Sequence, residues 1–206
     1  MSTTPQTQKD RALELLGTAG MARLSEFRRA GITAATVARL EREGAVVRLG
    51  RGLYQRPDAP LDVHHTLAEA AKRVPKGVVC LLSALAFHDL TDRTPAQVWM
   101  AIGRKDWRPR IDHPPLRIVR FGPGLIETGI EEHAVESVRV RIYGPAKTIV
   151  DLFRYRRVLG LNPAIEGLRG ALRRQAATPA DIAGLAAEAR VWPLVQPYIE
   201  ALTADG

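Results

Sequence analysis

Glycine punctuation constrains the first 56 residues more than any other feature of this chain. A helical pattern starts at Thr7, with Ala12, Leu13, Leu15 and Leu16 on one side, and Gly17 and Gly20 stop it. A second short helix reads from Ala22 to Ala30 on its inward pair Leu24 and Phe27, and Gly31 ends it. Thr33 is a good N-cap for a third helix over 34–43, in which Val37 and Leu40 face inward and Gly44 is the stop. Two β-prone runs follow, AVVRL (45–49) and LYQR (53–56), around Gly50-Arg51-Gly52. Three helices and then a hairpin is the order of a winged helix-turn-helix. The polar residues 1–6 ahead of it read as a frayed end.

Pro57, Asp58, Ala59 and Pro60 form a linker, because two prolines there discourage both helix and strand. At 206 residues the chain has room for a second, larger domain, and the division predicted is 1–58 and 59–206. Residues 61–74 read as helix, and 78–90 begin apolar and turn helical through Ser83 to His88. VWMAI (98–102), LRIVRF (116–121) and VRVRIY (138–143) read as strands, with a long Arg- and Pro-rich connection over 103–115. After Pro145 the pattern is helical over 146–158, 163–175, 179–189 and 193–202, with Pro163, Pro179 and Pro193 suited to first turns. The fold class expected is α+β: an N-terminal winged helix-turn-helix followed by a mixed α/β domain ending in several helices.

A formal net charge of +8 points to a polyanionic partner, since clustered cations release counterions from phosphates. Residues 1–60 hold ten basic and six acidic side chains, half of that net charge. With Val37 and Leu40 turned inward, Ala35, Thr36, Arg39 and Arg42 face outward on the helix that would enter a major groove. Thr36 suits a phosphate or a thymine methyl, and Arg39 suits guanine O6 and N7. The small Ala34 and Ala35 would let the backbone approach the duplex closely, and Thr33 at the helix start joins the DNA-contact candidates. Arg48, Arg51, Tyr54 and Arg56 belong to the wing, and Arg28 and Arg29 to the second helix. The partner expected from these residues is double-stranded DNA.

Other chemistry finds little support. The single Cys80 lies in an apolar run and reads as a buried structural thiol. Glu131, Glu132 and His133, with His64, His65, His88 and His113, match no metal-ligand spacing and read as loop and helix polars. Gly122-Pro123-Gly124 reads as a turn, because no GKS or GKT follows it. No Ser/His/Asp order or nucleophile elbow appears, so no catalytic residue, metal or cofactor is assigned and a non-enzyme is expected. Lys147 and Asp151 stand i, i+4 at a helix start, in the order less favourable to the helix dipole. The pair reads either as a surface ion pair or as a polar centre meeting a partner. Basic clusters at Arg104, Lys105, Arg108, Arg110, Arg117 and Arg120, and at Arg154, Arg156, Arg157, Arg169, Arg173 and Arg174, suit either a wider DNA footprint or an acidic protein face. No secretory pattern opens the chain and no apolar stretch spans a bilayer, which predicts a cytoplasmic protein.

Three stretches together resemble one family. GITAATVARLEREGAVVRLGRGLYQRP (31–57) is similar to the N-terminal winged helix of the AbiEi-type antitoxins, with "RLxxxG", a short basic strand and "GRGLY" in order. VVCLLSALAFHDLTDRTPAQVWMAI (78–102) resembles that family's segment joining an apolar helix, a His, a Leu-Thr and a strand. RIYGPAKTIVDLFRYRR (141–157) resembles its Pro-Ala-Lys-Thr stretch leading into a helix with Asp and Arg. The resemblance implies a transcriptional repressor and antitoxin of an abortive-infection toxin–antitoxin system. Such a protein would regulate its own operon through the N-terminal domain and oppose a nucleotidyltransferase-like toxin through the C-terminal one. An orphan regulator without a toxin is the alternative, and a DNA-acting enzyme the more distant one. Lys147, Asp151 and Arg154 are the partner-contact candidates.

Overall fold

The computed structural model describes residues 6–204, so residues 1–5 of the frayed end expected over 1–6 lie outside the described residues. The described residues pack as two units: those up to 75 with 134–140, and 76–133 with those from 141 on.

In the first unit α1 (Gln8–Ala19) starts at a reciprocal cap. Asp10 N–H donates to Thr7 Oγ1 at 3.2 Å, and Thr7 N–H to Asp10 Oδ2 at 3.1 Å. Gly17 lies inside this helix rather than stopping it, and Gly20 closes it. The segment expected as one helix over 22–30 divides. Its first residues form β1 (Met21–Arg23), and α2 (Leu24–Arg29) follows, with the Glu26 carboxylate accepting from Arg23 N–H at 2.7 Å. Next come α3 (Ala34–Arg42), β2 (Val47–Gly50) and β3 (Leu53–Gln55). The three strands form one sheet in the order β1-β3-β2, both pairings antiparallel. Ala12, Leu16, Phe27, Ile32, Val37, Leu40, Val46 and Tyr54 fill the core between sheet and helices. Burying a side chain such as Leu40 or Phe27 stabilises by about 1.5–3 kcal/mol. Helix α4 (His65–Arg73) continues the unit beyond Pro60, with Lys72 Nζ donating to Glu26 Oε1 at 2.9 Å.

Residues 134–140 complete the first unit. They form the tip of a hairpin between β7 (Ile130–Val135) and β8 (Val138–Tyr143), turning at Glu136 and Ser137. Both turn residues have positive φ, 50° and 62°, which is the geometry of a type I′ turn built without its usual Asn-Gly. Glu136 is held firmly: its carboxylate lies 2.9 Å from His65 Nδ1 and accepts from Asp62 N–H at 2.7 Å and Gln55 Nε2 at 3.3 Å.

The second unit is built on a five-stranded sheet, order β6-β5-β4-β8-β7, with β4 (Val78–Val79), β5 (Val98–Gly103) and β6 (Leu116–Phe121). β5 pairs with β6 in parallel, β4 with β5 antiparallel and β4 with β8 in parallel. Strand β7 corrects the reading of Glu131, Glu132 and His133 as loop and helix polars. It is the last strand of the sheet, and polar side chains there keep an edge from pairing with other chains. The expected turn at Gly122-Pro123-Gly124 is instead the start of a one-turn helix, α6 (Pro123–Ile126), with Ile126 buried. Helices α5 (Leu81–Phe87), α7 (Pro145–Arg154), α8 (Arg156–Leu159), α9 (Asn162–Arg173), α10 (Pro179–Glu188) and α11 (Trp192–Ala204) complete the unit. The single helix expected over 146–158 breaks at Tyr155 into α7 and α8. Leu85, Phe121, Tyr143, Ile149, Phe153, Leu168, Ile182 and Val195 share one core, and Gly167 lets α9 come close to Leu85. Among the described residues, no helix is long and apolar enough to cross a membrane.

Candidate nucleic-acid interface

Thr33 sets the start of α3 by accepting from Thr36 N–H at 3.1 Å. Val37 and Leu40 are buried, so the opposite face carries Ala35, Ala38, Arg39 and Arg42, all exposed. Arg39 Nε lies 3.7 Å from Glu43 Oε1, with both side chains about half exposed. A surface pair of that kind contributes little and does not tie the guanidinium down. Thr36 departs from the outward role expected for it. It is half-buried, and its hydroxyl donates to Gln8 Oε1 at 2.7 Å. Gln8 Oε1 also accepts from Thr33 N–H at 3.1 Å, so this one amide fastens α1 to the start of α3. Sequence reasoning missed Gln8 because nothing local in its segment marks a contact 28 residues away.

The wing brings further cations to the surface. Arg51 is exposed in the turn, where Gly52 adopts φ 67°. Arg48 is exposed on β2 and donates from Nε to the Gly50 carbonyl at 3.2 Å. Arg28 and Arg29 are exposed in the last turn of α2. Arg56 is exposed but engaged: it grips Asp58 with two bonds, of 2.9 and 2.6 Å, and their hydrogen bond holds the Asp58 carboxyl below the usual carboxylate range. Tyr54 is a correction. It is 7% exposed and meets Phe27 edge-on at 6.0 Å, so it serves the core rather than the outer face. As the middle strand between β1 and β2, β3 buries all three of its residues, and the unforeseen β1 is the reason.

Lys147 and Asp151 are not on the surface. Lys147 is 2% and Asp151 0% exposed, with Nζ to Oδ2 at 2.5 Å, and Arg154 Nη1 adds a second bond to Asp151 Oδ1 at 2.9 Å. The Lys147 ammonium also lies over the rings of Tyr143 and Phe121, at 4.6 and 4.9 Å. Burial pushes the Lys147 ammonium down and the Asp151 carboxyl up, each opposed by the charge of the other. The reading as a surface ion pair is therefore overturned, and neither group is open to a partner. Arg154, partly exposed, is the one of the three that reaches the surface.

Of the C-terminal basic residues, Arg169, Arg173 and Arg174 line a cleft of about 290 Å³ with Asp89, Asp92 and Glu166. Its charge is mixed, and Glu166 is engaged by the Thr91 hydroxyl at 2.6 Å. Cys80 is fully buried and its thiol is pushed well up by that burial. Among the described residues, no group of three or more His, Cys, Asp or Glu is placed to hold a metal ion.

Residues 10–57 match the family described as transcriptional regulator, AbiEi antitoxin. The family resemblance drawn from the sequence is borne out over this segment, which runs from α1 through β3. No curated protein matches the chain. Among solved structures, the crystal structure of the RV2827C protein from Mycobacterium tuberculosis is similar, at 14% identity and a TM-score of 0.49, over 90% of this chain and 83% of that one.

Proposed function

We propose that this protein is a DNA-binding transcriptional repressor and antitoxin that regulates its own operon and opposes a nucleotidyltransferase-like toxin. It is not an enzyme on this reading. The observation that carries the proposal is the placement of Arg39 and Arg42 on the outer face of α3, with Arg48 and Arg51 on the adjoining wing, inside the segment that matches the regulator family. A helix-turn-helix reads bases with its second helix and grips phosphates from flanking elements, and these cations fall on those two positions. Gln8, Thr33 and Thr36 act as positioning residues, since they fix where α3 begins.

The test is a gel shift with the gene's own upstream duplex against a random duplex of equal length, at stated salt. Binding to the upstream duplex at least a thousandfold tighter supports specific repression, and equal binding overturns it. Co-expression with a neighbouring nucleotidyltransferase-like gene tests the antitoxin half. The burial of Lys147 and Asp151 favours a second reading, a regulator without a toxin, because it removes two of the residues expected to meet one. Loss of toxicity on co-expression decides against that second reading.

A further inference from the structure

The connection between β5 and β6 presents an indole to solvent on a prepared support. Asp106 turns back on the strand end: its Oδ2 accepts from Gly103 N–H at 2.8 Å, while its own N–H donates to the Gly103 carbonyl at 3.2 Å. Arg120 Nη1 clamps the same turn from β6, donating to the carbonyls of Gly103 at 3.0 Å and Arg104 at 2.7 Å. The next residue out, Trp107, is 92% exposed. Arg104, Lys105, Arg108 and Arg110 surround it in sequence, and all four are exposed. Asp106 is the acid among them, and its carboxylate is occupied by the backbone.

A tryptophan held in water on a fixed turn gives up a large apolar area that a fold would ordinarily bury. Four cations within seven residues exclude a basic partner and favour phosphate. In a duplex the base faces are covered by their neighbours, so an indole can stack only on an unpaired base. We infer that residues 104–110 form a second nucleic-acid contact, in which Trp107 stacks on an unpaired base of RNA or single-stranded DNA while Arg104, Lys105, Arg108 and Arg110 hold the flanking phosphates. The contact lies outside the winged helix and does not depend on the operator reading.

The experiment uses the full chain with three probes: a twelve-residue oligo-uridine, a twelve-residue oligo-thymidine and the upstream duplex. Single-strand affinity is read by fluorescence anisotropy at several salt concentrations. Trp107→Ala is expected to bind at least one of the two single strands about tenfold more weakly, within the range of base–aromatic stacking. Trp107→Phe recovers part of that loss, and duplex affinity is unchanged. Replacing Arg104, Arg108 and Arg110 by Ala lowers the single-strand salt slope by about two. Preference between the two single strands assigns the contact to RNA or DNA. Equal single-strand binding by wild type and Trp107→Ala overturns the proposal, as does failure of the wild type to bind either strand. A Trp107→Ala change seen in self-association by sedimentation, with strand binding intact, makes the loop a protein contact and also overturns it.

Discussion

Gly20 and Glu136 approach so closely that a Cβ on residue 20 would lie 1.7 Å from the Glu136 carbonyl oxygen. The obstacle is backbone, so no side-chain rotation relieves it, and the φ of 66° and ψ of −58° at Gly20 are strained for any L side chain. Gly20→Ala is expected to destabilise by roughly 2–4 kcal/mol, combining a positive-φ penalty with overpacking. Urea denaturation followed by circular dichroism checks it. A loss below about 0.5 kcal/mol, the scale of an inert surface substitution, would show that the contact is not there.

On the proposed DNA-binding reading, Arg39 and Arg51 are expected to make two different kinds of contact. Arg39→Ala is expected to weaken binding to the specific duplex by about 1–3 kcal/mol and to affect a random duplex much less. Arg51→Ala is expected to weaken both and to reduce the salt slope by about one. Gel shifts over a salt series measure both effects. Equal losses on the two duplexes for Arg39→Ala would make it a phosphate contact only.

The buried pair in α7 supplies a stability test. Lys147→Met leaves the Asp151 carboxylate without its closest cation inside the core, a change expected to cost about 3–5 kcal/mol. The double change Lys147→Met with Asp151→Leu is expected to recover most of that loss, because a pair of apolar side chains needs no compensating charge. Arg154 can then turn to water. Thermal melts of the three proteins decide it, and a double variant no better than the single one would refute the pairing.

His88 gives a pH dependence. Burial holds its imidazole below the ordinary value of 6.5, against the opposing bond between Nε2 and the Tyr143 carbonyl at 2.9 Å. The folded chain therefore prefers neutral His88. Between its lowered folded value and 6.5 the unfolded chain binds more protons, so this contribution is full above 6.5 and is lost as pH falls through the window. His88→Gln keeps an N–H for the carbonyl and removes the titration. The wild type is expected to lose more thermal stability than His88→Gln between pH 7.5 and 5.5, and parallel losses would discard the assignment.

The sequence was most legible where a local period reports burial. Val37 and Leu40 mark the inner face of α3, and the glycines after α2 and α3 mark their ends, because helix faces and stops are written within a few residues. It was illegible where a structure depends on a distant strand. Met21–Arg23 is too short to show alternation and exists as a strand through Leu53–Gln55, and that same pairing buries Tyr54. Glu136-Ser137 lacks the Asn-Gly or Asp-Gly signature of a two-residue hairpin turn, so β7 is not legible with it. Charge predicts exposure for Lys147 and Asp151, and the partners that permit their burial lie in part on other elements, at Phe121 and Tyr143. The turn ahead of Trp107 is likewise held by Arg120, a strand away.

Synthesis order gives the first unit an unusual history. A ribosome releases α1 through β3 early, yet residues 134–140, which supply Glu136 to His65, Asp62 and Gln55, emerge only after three strands of the other sheet have been made. The nascent winged helix therefore waits, with Gly20 uncovered and the Glu136 site empty, while residues 56–136 are translated. The common route in which an N-terminal domain finishes before its successor begins is closed to this protein. Completion of the first unit is thereby tied to translation past residue 140, and a message cut short before that codon yields a winged helix without its closing turn.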